Sequence, residues 1–434
     1  MVRSMIKERI ENLMNLSHIC KLMVFDICGF YKCFDYTAIL SERGFKIVSY
    51  KNVEAFRLEY EETIKQTDER VAVIIRSDIY VPYDIQQKFR RVNLSLQAVF
   101  PKLHSDTLLR YARDIDLVSF AYDSCYADAN TPIQTEDFVH AAVFSKSTVE
   151  HYCADKTVYL RSLCDTANRY TDWIEVMKQK ATIHYYAASF DIAVDISFAD
   201  EAFTRFIDGG YAKLYSEIGG VAPAIITKTL RTICRDENKK TALIVMDGMS
   251  MFDFETISRH FDGIDYELYG SFAIIPTTTP ISRQSLLSGK YPRELEKPFS
   301  LANEEKEFIL AGQSLGYARN QIQYLRGFAP DVSPLARLVA VIVNDVDEIV
   351  HGQRQGRLGM LNDMNVLGKS GKMQELVKTL AGLGFDVYIT SDHGNAPCVG
   401  VGGFRSGVEL ETRSTRMAAL KDFADENESL AKYS

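Results

Sequence analysis

The chain has 434 residues, of which 46% are hydrophobic and 25% charged, and its formal net charge is −8. A chain of this length predicts two or three domains of ordinary globular composition. The acidic balance argues against a globally basic nucleic-acid-binding protein. No apolar run approaches the ~18 residues of a membrane span, so we expect no membrane contact.

The first twenty residues have helical spacing and several charges, without the apolar core of a signal peptide. The eight cysteines include no Cys-x-x-Cys pair. Scattered cysteines of this kind indicate reduced, mostly buried thiols rather than a disulfide framework or a structural zinc site. We therefore expect a cytoplasmic protein.

Residues 1–100 alternate between strand-like and helix-like segments, which predicts a small α/β domain. In outline it resembles a receiver domain, with Asp78 after the third strand. A receiver needs an acidic pair after its first strand, where only Asp26 stands, so a structural or partner-binding module is favoured. The predicted strands are 21–26, 46–50, 71–76 and 94–100, and the predicted helices are 37–43 and 53–67.

Residues 101–237 contain few glycines and prolines and predict a helical linker domain. We expect helices at 107–122 and 136–144, the latter with Thr135 as its N-cap, and paired helices over 157–184. This region is a candidate surface for a homodimer or a lid. The charged stretch 235–240 leads into a third domain, 238–434.

Four apolar runs of the third domain each end in residues able to bind a metal or attack phosphorus. Short apolar runs in which polar residues do not alternate with apolar ones are typical of buried parallel strands. The carboxyl ends of such strands share one edge of a sheet. Three carboxylates, two histidines and a hydroxyl would meet there, as in a two-metal phosphoryl- or sulfuryl-transfer site. The runs are 241–246 before Asp247, 271–275 before Pro276-Thr277-Thr278-Thr279, 338–343 before Asn344-Asp345-Val346-Asp347, and 386–390 before Ser391-Asp392-His393-Gly394.

Each of these motifs also has a plainer interpretation. Asp247 would be the N-cap of a helix at 249–261, and the threonines before Pro280 would cap a helix at 281–287. Asp347 and His351, four residues apart, share one face of a helix, which suits either a metal or a surface acid beside a buried histidine. Asp392, His393 and Gly394 alone would be a turn.

The segment 276–292 resembles the nucleophile region of the alkaline phosphatase superfamily. Nucleotide pyrophosphatase/phosphodiesterases have a Pro-Thr-x-Thr stretch whose last threonine stands ten residues before a Gly-x-Tyr-Pro element, as Thr279 does before Gly289. Sulfatases place Pro-Ser-Arg and Leu around this point, where the chain has Ser282, Arg283 and Leu286. Both comparisons imply that Thr279 is the nucleophile. Because threonine cannot become formylglycine, a formylglycine sulfatase is not expected.

The order MDGMS, PTTTPISRQSLLSGKYP, DVDEIVHG and ITSDHGN is similar to that of the PglZ domain, known from BREX phage-defence systems. The resemblance implies an alkaline-phosphatase-like α/β fold, a parallel-rich sheet flanked by helices. It implies one metal site formed by Asp247, Asp392 and His393, with the nucleophile Thr279 beside them as a further metal ligand. It implies a second site formed by Asp347 and His351. Zinc suits mixed His/Asp ligation, with manganese as the alternative.

The chain departs from the superfamily at the second metal site, which normally has a further histidine ligand. None of its eight histidines follows His393. A substitute such as Glu409, Glu411 or the neighbouring Asp345, or a ligand outside this chain, would have to complete the site. We expect a weak, exchangeable or inactive second site.

The sequence thus predicts a metal-dependent phosphodiesterase of phage defence that acts on nucleotides or nucleic acid. Thr279 would form a covalent phosphothreonine that water hydrolyses. Arg283 is a candidate oxyanion clamp or a structural helix residue. The alternatives are a phosphomonoesterase, and a scaffold that keeps metal only for structure while its N-terminal domain binds other defence-system proteins.

Overall fold

A computed structural model describes residues 5–125, 128–218, 220, 222–236, 238–397, 410–413 and 418–420. The chain divides into two compact units. The first comprises Met1–Asp208 and Gly263–Glu267, and the second comprises Gly209–Asp262 and Leu268–Ser434. The three-domain division with boundaries near 100 and 237 stays a prediction.

The first unit contains a parallel sheet of β1 (Lys21–Phe25), β2 (Phe45–Ser49), β3 (Arg70–Ile75) and β4 (Arg90–Asn93), in the order β2-β3-β1-β4. The first three predicted strands are confirmed to within a residue. The predicted strand at 94–100 is wrong, because the chain there forms a short helix. The buried residues of this segment, Leu96, Val99 and Phe100, have helical spacing. The short helix therefore packs one apolar face into the core and needs no neighbouring strand.

Helices flank this sheet on both faces, and buried side chains form one apolar cluster against each face. The predicted pair over 157–184 is confirmed as α9 and α10, which pack together. The N-cap predicted at Thr135 is wrong, since Thr131 caps α8 and the Thr135 hydroxyl donates to Ala129 O. The helices are α1 Met5–Met14, α2 Tyr36–Glu42, α3 Val53–Glu59, α4 Tyr83–Gln86, α5 Leu96–Val99, α6 Ser105–Leu109, α7 Ile115–Ala121, α8 Pro132–Phe138, α9 Lys146–Thr166, α10 Tyr170–Ser189 and α11 Ser197–Gly210.

Asp26, at the carboxyl end of β1, uses both carboxylate oxygens within its own loop. It accepts hydrogen bonds from the backbone amides of Phe30 and Tyr31 and from the hydroxyl of Tyr36. The strand order also departs from the 2-1-3-4-5 order of receiver-type folds. Both observations favour a structural role for Asp26 over a part in the acidic pair of a receiver domain.

The second unit contains another parallel sheet, of β5 (Lys240–Met246), β6 (Ile322–Arg326), β7 (Leu338–Val343) and β8 (Phe385–Thr390), in the order β6-β7-β5-β8. After its first residue β5 is wholly buried, as a central parallel strand should be. The two helix-flanked parallel sheets confirm the predicted α/β fold class. Strands predicted at 241–246, 338–343 and 386–390 are confirmed.

The strand predicted at 271–275 is wrong. Phe272 makes one isolated bridge to Ile225, and the fourth sheet position is taken by β6, from a region without a sequence prediction. The Tyr211 hydroxyl donates to Ala273 O at 2.8 Å and accepts from Ile275 N at 2.9 Å. A side chain therefore satisfies backbone groups that a neighbouring strand would otherwise pair.

The helices of the second unit cover its sheet, and a buried apolar cluster lies between the sheet and α14 and α15. They are α12 Thr229–Ile233, α13 Met251–Ser258, α14 Thr279–Ser288, α15 Glu304–Ser314, α16 Asp345–Gly352, α17 Gly356–Lys369 and α18 Lys372–Gly382, and the antiparallel strands β9 Leu410–Arg413 and β10 Ala418–Leu420 follow. Within the described ranges, no helix combines the length and apolar character needed to cross a bilayer.

Candidate functional site

Asp247 follows β5 and is almost fully buried. It is not the N-cap of the next helix, because Ser250 caps α13 through a capping box with Asp253. One carboxylate oxygen, Oδ2, accepts a hydrogen bond from Arg283 at 2.7 Å. The other, Oδ1, is buried and has no hydrogen-bond partner in the described part of the chain. An unpaired buried carboxylate oxygen is costly and points to a missing ligand.

Asp392 follows β8 and repeats this arrangement. Its Oδ1 accepts hydrogen bonds from the amides of Gly248, at 3.1 Å, and His393, at 3.0 Å. Its Oδ2 is buried and lacks a hydrogen-bond partner among the described residues. Each of the two carboxylates is thus anchored through one oxygen while its second oxygen stays unpaired.

His393 presents a nitrogen lone pair to these oxygens. Its Nδ1 lies 2.9 Å from Gly394 O, and since a carbonyl can only accept, we assign the proton to Nδ1. Nε2 then carries the lone pair and lies 3.8 Å from both Asp247 Oδ1 and Asp392 Oδ2. A histidine oriented by a backbone carbonyl in this way is typical of a metal ligand.

The three ligand atoms fit a single divalent cation. They all lie within 4.8 Å of one another. In a tetrahedral site with metal–ligand distances of about 2.1 Å, the ligand atoms are about 3.4 Å from one another. Small side-chain shifts would therefore bring the three atoms to metal-binding distances. The unpaired oxygens and the lone pair converge on one point, which is the arrangement that a cation requires. Asp247, Asp392 and His393 are the residues that would hold it.

Thr279 lies beside this cluster as the first residue of α14, with Thr278 at the N-cap. Its hydroxyl oxygen is 3.0 Å from His393 Nε2. The residue is only partly buried, so a substrate can reach it. Backbone amides at the start of a helix favour an anion such as phosphate. The helix starts two residues earlier than predicted, which places the predicted nucleophile on the helix itself.

Asp347 and His351 come together on α16, with Oδ2 and Nε2 3.3 Å apart, but 56% of the His351 side chain is exposed. Gly248 brings this pair beside Asp247. Its φ is +68°, and a Cβ there would lie 3.1 Å from Asp347 Oδ1. Over the described residues, no third acid, cysteine or histidine joins the pair at ligand distances. Of the predicted substitutes, Glu409 lies outside the described residues and Glu411 is described in its backbone alone.

Among the described residues, Arg283 has the largest fully buried side chain. Its Nη1 donates to Asp247 and to Asn344 Oδ1, and its Nε and Nη2 donate to Glu304 Oε2 at 3.0 and 2.8 Å. These contacts occupy the guanidinium within the fold and favour the structural role over the oxyanion clamp.

Sequence reasoning missed Glu304. It is one of three acids in the first turn of α15, a pattern that normally indicates an exposed helix start, so no sequence signal marks it.

Hydrogen bonds tie the loop after β5 to the loop after β8. The Ser391 hydroxyl donates to Met246 O at 2.8 Å, and Asn395 Nδ2 donates to Gly248 O at 2.9 Å and to Asp253 Oδ2 at 2.6 Å. These contacts hold Asp247 opposite Asp392, because side chains of the second loop bind backbone carbonyls of the first.

Cation binding should strengthen as the pH rises. Burial, together with the charge of Asp392, raises the pKa of Asp247 from 3.8 to about 8, although Arg283 opposes the shift. A proton then competes with the cation below about pH 8. A carboxyl whose pKa is higher in the folded than in the unfolded protein adds stability to the metal-free protein at low pH. That stability is fully present below the pKa of the unfolded state and is lost as the pH rises through the pKa of the folded state. Melting with and without Mn²⁺ at pH 6, 7 and 8 should show a gain in Tm that grows with pH. A constant gain would contradict this assignment.

Comparison with known proteins places these residues in a family context. Residues 225–415 match the family model described as the BREX system PglZ alkaline phosphatase-like domain. The match spans all four motifs and confirms the resemblance inferred from them. No curated protein matches the chain.

Proposed function

We propose that this chain, with its PglZ alkaline phosphatase-like domain over residues 225–415, is a metal-dependent phosphodiesterase with Thr279 as its nucleophile. The observation that carries the proposal is the convergence on His393. Its Nε2 is 3.0 Å from the Thr279 hydroxyl and 3.8 Å from the unpaired oxygens of both Asp247 and Asp392. A hydroxyl beside a cation site at a helix N-terminus suits attack on phosphorus.

The residues divide the work as follows. Asp247, Asp392 and His393 would hold a divalent cation, which supplies positive charge that lowers the pKa of a nearby hydroxyl and offsets charge on the phosphate. Thr279 Oγ1 forms a bond to phosphorus while the bond to the leaving alcohol oxygen breaks. Water then cleaves the phosphothreonine, which releases a phosphate monoester and restores the threonine. The amides at the start of α14 orient the phosphate oxygens.

One nitrogen and two carboxylate oxygens suit zinc, with manganese as the alternative. We propose one firmly held ion at this cluster and a weaker second site at Asp347 and His351. That pair is exposed on one side, and no other acid, cysteine or histidine of the described ranges completes it, which supports exchangeable binding. The same observation is what favours the scaffold as the second candidate function.

The proposed substrates are nucleotides or nucleic acid. The proposed setting is phage defence in the cytoplasm, with other defence-system proteins as partners. The proposed assembly is a homodimer. The BREX description of the matched domain supports the defence setting. The Pro-Thr-x-Thr segment supports a diester substrate, because it resembles the phosphodiesterase branch of the superfamily.

The experiment that tests the proposal compares a diester with a monoester. Full-length protein with Zn²⁺ or Mn²⁺ should hydrolyse bis-p-nitrophenyl phosphate about 10-fold or more faster, in kcat/KM, than p-nitrophenyl phosphate, because differential transition-state binding sets the preference. The reverse preference would establish the phosphomonoesterase. Metal binding without hydrolysis of either ester would favour the scaffold.

A further inference from the structure

A buried chain of charged and polar groups leads away from the cation cluster. Asp247 pairs with Arg283, Arg283 pairs with Glu304, and the Tyr324 hydroxyl donates to Glu304 Oε1. Arg283 and Glu304 are each 1% exposed. Glu304 begins α15 and Tyr324 lies on β6, so both come from parts of the fold that carry none of the four motifs.

With all of its acids ionised, this buried network keeps an excess negative charge unless a cation is bound. Asp247, Asp392 and Glu304 contribute three carboxylates, against the one guanidinium of Arg283. Buried charges are stable only when they are compensated. One divalent cation would neutralise the two remaining negative charges.

We propose that Glu304 is a positioning residue that offsets the charge of Arg283 and so keeps Asp247 available to a divalent cation. This inference rests on the proposed metal site. Glu304 accepts from both Nε and Nη2 of Arg283, which leaves Nη1 for Asp247 Oδ2. Without the charge of Glu304, the guanidinium would be balanced by Asp247, in competition with the cation.

Tyr324 offers a matched control. Its hydroxyl contacts the other oxygen of the same carboxylate and accepts from Arg326 Nη2 at 3.0 Å. Tyr324→Phe disturbs Glu304 without changing any charge, whereas Glu304→Gln keeps the shape of the side chain and removes its charge. A merely structural role for Glu304 would make the two variants similar.

The test is calorimetric titration of full-length variants with Mn²⁺ and with Zn²⁺. We expect Glu304→Gln to weaken binding by about 10-fold or more, because one charge of a low-dielectric network is lost, and Tyr324→Phe to stay within about 3-fold of the unmodified protein. In the double variant Arg283→Gln/Glu304→Gln, the competing guanidinium is gone, and the cation affinity should return to within about 3-fold of that of the unmodified protein.

Equal affinities of Glu304→Gln and the unmodified protein would overturn the role of Glu304 and leave the proposed function standing. A double variant that binds as weakly as the single variant would overturn it as well. If Glu304→Gln does not melt cooperatively, the double variant alone tests the role of Glu304. A cation affinity about 10-fold or more below that of the unmodified protein would then count against the inference. If the unmodified protein binds no cation, both this inference and the proposed function fail.

Discussion

Replacing Thr279 by alanine should lower the hydrolysis of bis-p-nitrophenyl phosphate by at least about 10³-fold, because the proposed covalent intermediate forms on the Thr279 hydroxyl. Cation binding should be unchanged, since the unpaired oxygens belong to Asp247 and Asp392 and the lone pair to His393. The fold should also be retained, because Thr279 lies partly exposed at the first position of α14. The measurements are kcat/KM, calorimetric Mn²⁺ binding and Tm.

Two matched variants make this result specific. Thr277→Ala removes an exposed hydroxyl from the same segment and should leave turnover within about 3-fold, the range of surface substitutions. Thr279→Ser keeps a hydroxyl and should retain measurable activity. Acid quenching with a ³²P-labelled dinucleotide should trap label on the unmodified protein and none on Thr279→Ala. Full activity of the alanine variant would refute Thr279 as nucleophile.

Asp392→Asn should weaken cation binding by about 100-fold or more, because the loss of a direct ligand exceeds the 10–100-fold effect of losing an outer partner. Asparagine can still accept at Oδ1 from the amides of Gly248 and His393, so the loop keeps its anchors. Above about pH 8, where both carboxyls are ionised, the Tm of the metal-free protein should stay constant or rise, since one of two neighbouring buried negative charges disappears. Calorimetry and melting with and without Mn²⁺ measure both effects.

Glu307→Gln provides the control for Asp392→Asn. Glu307 is also a buried acid of the second unit, but it pairs with Lys290 at 2.5 Å. Its loss should alter stability without altering cation affinity. Undiminished binding by Asp392→Asn, or an equal loss in both variants, would remove Asp392 from the ligand set.

The sequence predicted the part of the site that the sheet itself assembles. Asp247 and Asp392 each follow a parallel strand, and β5 and β8 are neighbours, so their carboxyl ends meet. The family resemblance of the motifs also placed Thr279 beside His393. The first relation could be inferred from the general geometry of parallel sheets, and the second from short motifs.

The parts that sequence reasoning missed depend on contacts between distant segments. The run at 271–275 has the composition of a strand, yet its backbone pairs with Tyr211, more than sixty positions away. The partner of Arg283 is likewise set by how α14 packs against α15, which no local pattern specifies. Propensity indicated which residues would be buried but not which groups would face them.

The Tyr211 hydroxyl has a consequence for how the molecule opens. The strands of the second sheet exchange their amide hydrogens only when many ladder bonds break together, whereas the segment leading to Thr279 is held at Ile275 by one phenol. Rotation of the Tyr211 ring frees the backbone groups of Ala273 and Ile275 while the ladder of the sheet stays intact. Hydrogen exchange at Ile275, close to the proposed nucleophile Thr279, is therefore expected to be faster than in the strands of the second sheet.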